Sequence, residues 1–249
     1  VSEYMNHPLS QAILSYAIPY DGQWSAIGQA IKNKQPYQPV ICTTKYVTIV
    51  DDNYPLCFRR LRYPPWILFY KGKLELLDQP TIGIVGARQC SKQALINTET
   101  VVKHLRNRYC IVSGLAKGID GQAHRFAKHT IGFIGCGIDR IYPKENMNLY
   151  SSMSLNQLIM SEYPLYTPPY RSHFPWRNRL IAASIDALIV IEATYKSGTM
   201  LTVNECNTLG VPVYCLPTAF ENEAYPGCNH LIESGAYMIS NASDLDSIL

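Results

Sequence analysis

From Ile82 to Leu216, short apolar runs rich in β-branched residues alternate with stretches whose apolar positions recur at helical spacing. Such alternation marks βαβ units and commits the chain to an α/β fold, a mostly parallel sheet with helices on both faces. Strands are expected at 82–85, 110–113, 131–135, 158–161, 187–191 and 211–216. Between the first two, Ala94, Leu95, Thr98, Val101, Val102 and Leu105 form one apolar helical face. Further helices are expected near 119–128, 146–153, 177–184, 198–209 and 229–235. Right-handed crossovers put the C-terminal ends of the parallel strands on one edge, where open sheets bind their ligands.

Residues 1–50 show no clear period and read as a small helical or extended N-terminal appendage and lead-in, leaving 51–249 as the main domain. Asp51–Lys73, with Pro55, Pro64 and Pro65 among aromatics and Arg59, Arg60 and Arg62, reads as an extended segment on the sheet edge. No run approaches the roughly 20 apolar residues of a membrane span. A cytoplasmic protein without a membrane partner is expected. The 8 cysteines form no CxxC pair and several sit in apolar runs, so they read as reduced thiols and not as a zinc site.

The net charge of +3 is small, but it is unevenly spread. From Ser197 onward there is no Lys or Arg, against the acids Glu205, Glu221, Glu223, Glu233, Asp244 and Asp246, so residues 1–196 carry +9. A polyanion is expected on the first four-fifths of the chain and protein partners on the rest.

The loops at the C-terminal ends of the strands hold the residues suited to ligand chemistry. Gly86-Ala87-Arg88 precedes Ser91, a residue fit to cap a helix. Ser113-Gly114, with Lys117 and Gly118, opens a second helix, and Gly135-Cys136-Gly137 leads to Lys144. Lys196-Ser197-Gly198 opens another. Small residues let backbone N–H groups approach an anion at a helix N-terminus, and arginine adds a forked grip on phosphate. A glycine after a strand also serves as plain turn chemistry. Arg177, Asn178 and Arg179, in a stretch with Arg171, His173, Tyr163, Tyr166 and Tyr170, suit single-stranded nucleic acid, which is held by charge and base stacking. The alternative is that Arg177 and Arg179 pair with Glu162 and Glu192 as a structural network. Neither GxGxxG nor a GK[ST] motif is present, which disfavours NAD, FAD and ATP, and no cofactor is expected.

The ordered series GIVGAR..S (83–91), SGLAKGID..AH (113–124), TIGFIGCGIDRIYPKEN (130–146), SEYP (161–164), HFPWRNRLIA (173–182), KSGTMLT (196–202) and GCNHLIESGA (227–236) resembles the DprA/Smf DNA-processing family. The resemblance covers most of residues 50–240. It implies an extended Rossmann-like fold, a homodimer, single-stranded DNA held on the glycine-loop side, and transfer of that DNA to the RecA recombinase in natural transformation. By motif, Arg88 and Lys144 match the family's DNA-contacting positions, with Gly86, Ser113, Gly114, Lys117, Gly118, Gly135, Gly137, Arg177, Asn178, Arg179, Lys196, Ser197 and Gly198 around them. The family also suggests self-association through His230, Leu231, Ile232, Met238 and Ile239. The chain departs from the family in a shorter link at Lys128–Thr130 and in Pro217-Thr218, where Pro-Gly is usual.

Catalysis needs a positioned base or nucleophile, and the candidates are Asp120, His124, Asp139, Glu162 and Glu192. Asp120 and His124 lie four apart on one helix and read as a helix-start anion and a satisfied core histidine. The chain is not expected to be an enzyme. The runner-up is a phosphoribohydrolase-type enzyme acting on nucleoside monophosphates. Against it stands Lys196-Ser197-Gly198-Thr199 where such enzymes carry PGGxGT.

Overall fold

The computed structural model describes residues 8–219 and 222–248; residues 1–7, Phe220, Glu221 and Leu249 lie outside it. Its frame is a nine-stranded sheet in the order β1-β2-β6-β5-β4-β3-β7-β8-β9. The strands are β1 (Lys45–Thr48), β2 (Ile67–Gly72), β3 (Thr81–Val85), β4 (Cys110–Ser113), β5 (Thr130–Ile134), β6 (Leu158–Ser161), β7 (Ala187–Val190), β8 (Val213–Cys215) and β9 (Tyr237–Met238). From β6 to β9 every neighbouring pair is parallel, while β1 and β2 join antiparallel at one side. Strands β3 to β7 are buried along their whole length, because helices cover both faces.

The helices are α1 (Pro8–Ala17), α2 (Trp24–Lys32), α3 (Lys92–Leu105), α4 (Ile119–Phe126), α5 (Met147–Asn156), α6 (His173–Ala183), α7 (Gly198–Leu209) and α8 (Gly227–Glu233). In α3, Ala94, Thr98, Val101, Val102 and Leu105 of the expected face are buried while Leu95 is half-buried, and the Ser91 hydroxyl accepts from the Ala94 amide at 3.0 Å. No helix among the described residues is long and apolar enough to cross a membrane.

The N-terminal appendage has a core in common with the sheet. Ile13 and Leu14 of α1 and Ile27 of α2 pack with Ile67 and Phe69 of β2 and with Ile134 and Ile159. β1 lies before residue 50 yet pairs with β2 from Lys45↔Tyr70 to Thr48↔Ile67. The 45–72 segment is thus a hairpin-like extension of the sheet, not only a lead-in to it. At the opposite edge Ile239 is buried with Leu245 against α3. That corrects its expected place on an exposed partner surface, since the turn after β9 folds its side chain inward.

Candidate functional site

The chain runs from β3 outward through β4, β5 and β6, then returns to the other flank of β3 with β7. Connections leave β3 and β7 in opposite directions, and a crevice opens beyond their C-terminal ends. A cleft of about 820 Å³ occupies this position. The loop after β3 supplies Gly86, Ala87 and Arg88; the loop after β4 supplies Ala116 and Lys117, and the first turn of α4 Asp120; α6 supplies Phe174, Arg177 and Asn178; α7 begins at its far side with Gly198 and Thr199. A smaller adjoining hollow reaches Tyr142 and Pro143, the residue before Lys144.

Arg88 is exposed, and its guanidinium lies 5.4 Å from the centre of the Phe174 ring. Phe174 in turn lies 5.4 Å from the Tyr142 ring, which is 43% exposed. A cation stacked on one aromatic beside a second, partly free ring offers phosphate binding and base stacking in one place. Lys117 is exposed and paired with Glu145, a solvent-screened contact of small strength. Lys144, Arg171 and Lys196 are exposed as well.

One helix N-terminus read as an anion site is already filled by the protein's own carboxylate. Glu192, 101 residues downstream of Ser91, accepts the Ser91 amide at 2.8 Å and the Ser91 hydroxyl at 2.7 Å, closing the start of α3. Asp120, in the first turn of α4, accepts the amide of Gly114 in the loop before it at 3.1 Å. Burial pushes the Asp120 carboxyl above the usual carboxylate range, while Arg177 and the Ala116 and Gly114 amides pull the other way. Gly118 holds the two loops together. Its φ is +72°, and a Cβ there would stand 2.5 Å from the Ala87 oxygen and 2.7 Å from the Arg88 oxygen.

The glycines of the loop after β5 do not line the cleft. Gly135 and Gly137 are buried beneath the segment that follows β6. The His173 Nδ1–H donates to the Gly135 carbonyl at 3.1 Å, and the His173 ring stacks on Tyr163 at 3.8 Å. The Gly137 amide donates to Thr167. Ser113 is fully buried, with its hydroxyl donating to Ile84 at 2.6 Å. These residues fix the loops and do not line the cleft.

Arg177 and Arg179 are both buried and bound to groups of the protein itself, Arg177 at the floor of the cleft. Arg179 is 4% exposed, donates to Glu162 at 2.8 Å and lies 4.1 Å from the Trp176 ring centre. Arg177 is 5% exposed under the cleft and donates to the carbonyls of Gly114 (2.7 Å) and Phe133. Burial lowers its guanidinium to about 10. Half of the expected network is present, since Arg179 meets Glu162 while Glu192 serves Ser91 instead. His124 is neutral and buried. Thr130 donates its hydroxyl proton to Ile111 at 2.7 Å, so it accepts from His124 Nδ1–H at 2.6 Å and leaves Nε2 without a partner. Burial, aided by Arg177, lowers this imidazole to about 3. Asp120 and His124 are therefore committed to the fold.

Phe174 and Tyr142 carry the aromatic side of the site, and sequence reasoning does not assign either ring to it. The signal for Phe174 is the alternation of rings and arginines from Tyr170 to Arg177, which the charge of Arg177 and Arg179 overshadows; Tyr142 sits beside Lys144 in the loop after β5.

The sheet order, the switch-point cleft and its basic, ring-flanked rim define a Rossmann-like protein. The chain belongs to the DNA recombination-mediator protein A family, whose model matches residues 45–249. The chain is 40% identical over 202 residues to the DNA processing protein DprA of Streptococcus pneumoniae, covering 80% of this chain and 72% of that one. It is 36% identical over 210 residues to protein Smf of Synechocystis, spanning 81% of this chain and 53% of that protein. The X-ray structure of Streptococcus pneumoniae DprA superposes with a TM-score of 0.81 at 33% identity, over 96% of this chain and 93% of the other. A structure describing the single-stranded DNA binding mode of Helicobacter pylori DNA processing protein A gives 0.76 at 32% identity, over 83% and 96%.

Proposed function

We propose that this protein binds single-stranded DNA in the switch-point cleft and delivers it to the RecA recombinase, without chemistry of its own, during recombination of incoming DNA. The observation that carries the reading is Arg88 stacked on Phe174 beside the half-free Tyr142 ring at the cleft mouth. Arg88, Lys117 and Lys144 supply backbone charge, and Gly86, Gly114 and Gly118 keep the loops low enough for a strand to pass. Lys196, Ser197, Gly198 and Asn178 serve the far side. Family membership supports the same reading, as does the single-stranded DNA binding mode of the Helicobacter pylori protein.

Self-association is assigned to the β9 edge. Met238 is 53% exposed on an unpaired strand edge, with His230, Leu231 and Ile232 on the neighbouring α8. Leu231 and Ile232 are half-buried and contribute only their outer surfaces.

Binding of a fluorescent oligo(dT), followed by anisotropy with the wild-type protein and with Arg88→Ala and Lys144→Ala, tests the site. Weakened binding by folded variants is expected; unchanged affinity in both removes the assignment. Addition of RecA to the bound complex tests delivery, with faster RecA filament growth expected than on naked DNA.

A further inference from the structure

The start of α7 differs from the other two glycine-loop helices of the cleft. Glu192 closes α3 and α4 carries Asp120 in its first turn, but α7 carries no acid in its first turn and its cap, Ser197, makes no side-chain cap bond. The Ser197 hydroxyl donates to the Thr194 carbonyl at 3.1 Å, and the Met200 amide donates to Ser197 at 3.2 Å. The amides of Gly198 and Thr199 have no intrahelical acceptor. A second observation comes from the side chains. Thr199 is only 6% exposed and lines the cleft, yet its hydroxyl meets no partner among the described residues. Asn178, also 6% exposed, gives one N–H to the Gly198 carbonyl at 3.2 Å, which holds its carboxamide at the mouth of this helix with a second N–H to spare. Nothing lies within 4 Å of a Cβ built on Gly198, so the approach is open.

We propose that the start of α7 is a site for a phosphate monoester, the terminal phosphate of a nucleotide. This deepens the proposed function and rests on its reading that the cleft takes nucleotide phosphate. Two amides, the Thr199 hydroxyl and the free Asn178 N–H supply four donors, and the helix dipole with the adjacent Lys196 adds more positive charge than the single negative charge of a bridging diester balances. A monoester presents three acceptor oxygens and a charge of about −1.5 to −2 at neutral pH, which matches that set. A cleft of about 820 Å³ lies within the range that encloses a whole small ligand, roughly 300–1,000 Å³. The Tyr142 and Phe174 rings at its other side receive a base. The monoester has two sources, the phosphorylated end of a DNA strand or a free nucleotide.

The test compares short oligo(dT) with and without a 5′- or 3′-phosphate, alongside direct titration of dTMP followed by calorimetry, for the wild type, Thr199→Val and Arg88→Ala. A terminal phosphate is expected to tighten binding about tenfold, the scale of one hydrogen bond to a charged group. That ratio should fall to one in Thr199→Val and persist in Arg88→Ala as overall affinity drops. A phosphate-dependent ratio with no dTMP binding assigns the site to strand ends. Saturable dTMP binding lost in Thr199→Val, with a ratio of one for oligonucleotides, assigns it to free nucleotide. A ratio of one together with no dTMP binding overturns the proposal, and so does an increment or dTMP affinity that Thr199→Val leaves intact. Oligo(dT) that binds with no phosphate increment, in a protein that also fails to bind dTMP, leaves the DNA reading standing while the monoester site falls. Binding of dTMP without any oligonucleotide binding does the reverse.

Discussion

Replacing Arg179 with alanine separates a structural arginine from a DNA-binding one. The ion pair it makes with Glu162 is 2.8 Å long, and its side chains are 5% and 3% exposed. Removing the guanidinium leaves the carboxylate buried, and breaking such a pair costs about 3–5 kcal/mol. The protein can escape an unpaired charge by protonating Glu162, a state that burial already favours. Holding a carboxyl protonated at pH 7 against an ordinary value near 4.3 costs about 3.7 kcal/mol at roughly 1.36 kcal/mol per pH unit, so the two routes agree. For a chain of this size that amounts to a fall in Tm of roughly 7–15 °C. The escape route leaves a signature in pH. In the variant the folded carboxyl titrates above its unfolded value, so its stability is present at low pH and lost as pH rises. With Glu162 ionised beside Arg179 in the wild type, the deficit should shrink between pH 7 and pH 5, by at most about 2.7 kcal/mol. Scanning calorimetry at the two pH values, with oligo(dT) affinity measured on the still-folded protein, checks both parts. Joint replacement of Arg179 by Met and Glu162 by Leu should recover most of the lost stability, because no buried charge is left. An unchanged Tm accompanied by a large loss of DNA affinity would refute the structural assignment.

Arg88→Ala should weaken oligo(dT) binding by roughly 10- to 100-fold with Tm unchanged, since the side chain is exposed and a charged hydrogen bond contributes about 1.5–3 kcal/mol. In the same variant the slope of log affinity against log salt should fall by about 0.7, one single-strand phosphate contact. His124 titrates near 3 in the folded protein against about 6.5 unfolded, so its contribution is intact above pH 6.5 and is lost as pH falls towards 3. The wild type should lose about 2 kcal/mol from this group between pH 7 and pH 5, and urea unfolding of His124→Asn, which keeps a donor for Thr130, should show that part of the slope gone. An identical slope in the variant would place the proton elsewhere. Gly118→Ala forces a Cβ to within 2.5 Å of the Ala87 oxygen at φ +72°, and a destabilisation of about 1–3 kcal/mol is expected with it. Weakened oligo(dT) binding should accompany it, because the displaced loop carries Arg88; full stability in a thermal melt would show that the loop has room the geometry denies.

The parallel core was legible because β3 to β7 are buried on both faces and read as continuous apolar runs, and α3 and α7 show their period or their caps. β1 and β2 were harder. They are a short antiparallel extension whose lead-in holds Pro64 and Pro65, residues that signal loop locally even though the following Ile67–Gly72 pairs on both sides. β9 spans two residues, too few for any period to emerge.

In the site, the glycine loops and Arg88 were legible in the motifs themselves, but the roles of Arg177 and Arg179 depended on the phase of α6. The helix starts at His173, four residues before the start read from the sequence, because Pro175 falls in its first turn, where a missing N–H is harmless. Within this helix Phe174 faces the cleft, Arg177 lies buried under it against the Gly114 carbonyl, and Arg179 meets Glu162. The Glu192 cap on Ser91 spans 101 residues and belongs to tertiary structure alone. The charge split is also less clean in space than along the chain, since Gly198 and Thr199 open the base-free segment and still line the cleft.

The most direct test of the central claim is a fluorescence-anisotropy titration of the protein against oligo(dT) and a duplex of equal length over a range of salt concentrations. Tight, steeply salt-dependent binding to the single strand, with the duplex much weaker, is the result predicted by an aromatic-flanked basic cleft. Equal affinity for both forms, or binding to neither at low salt, would contradict it.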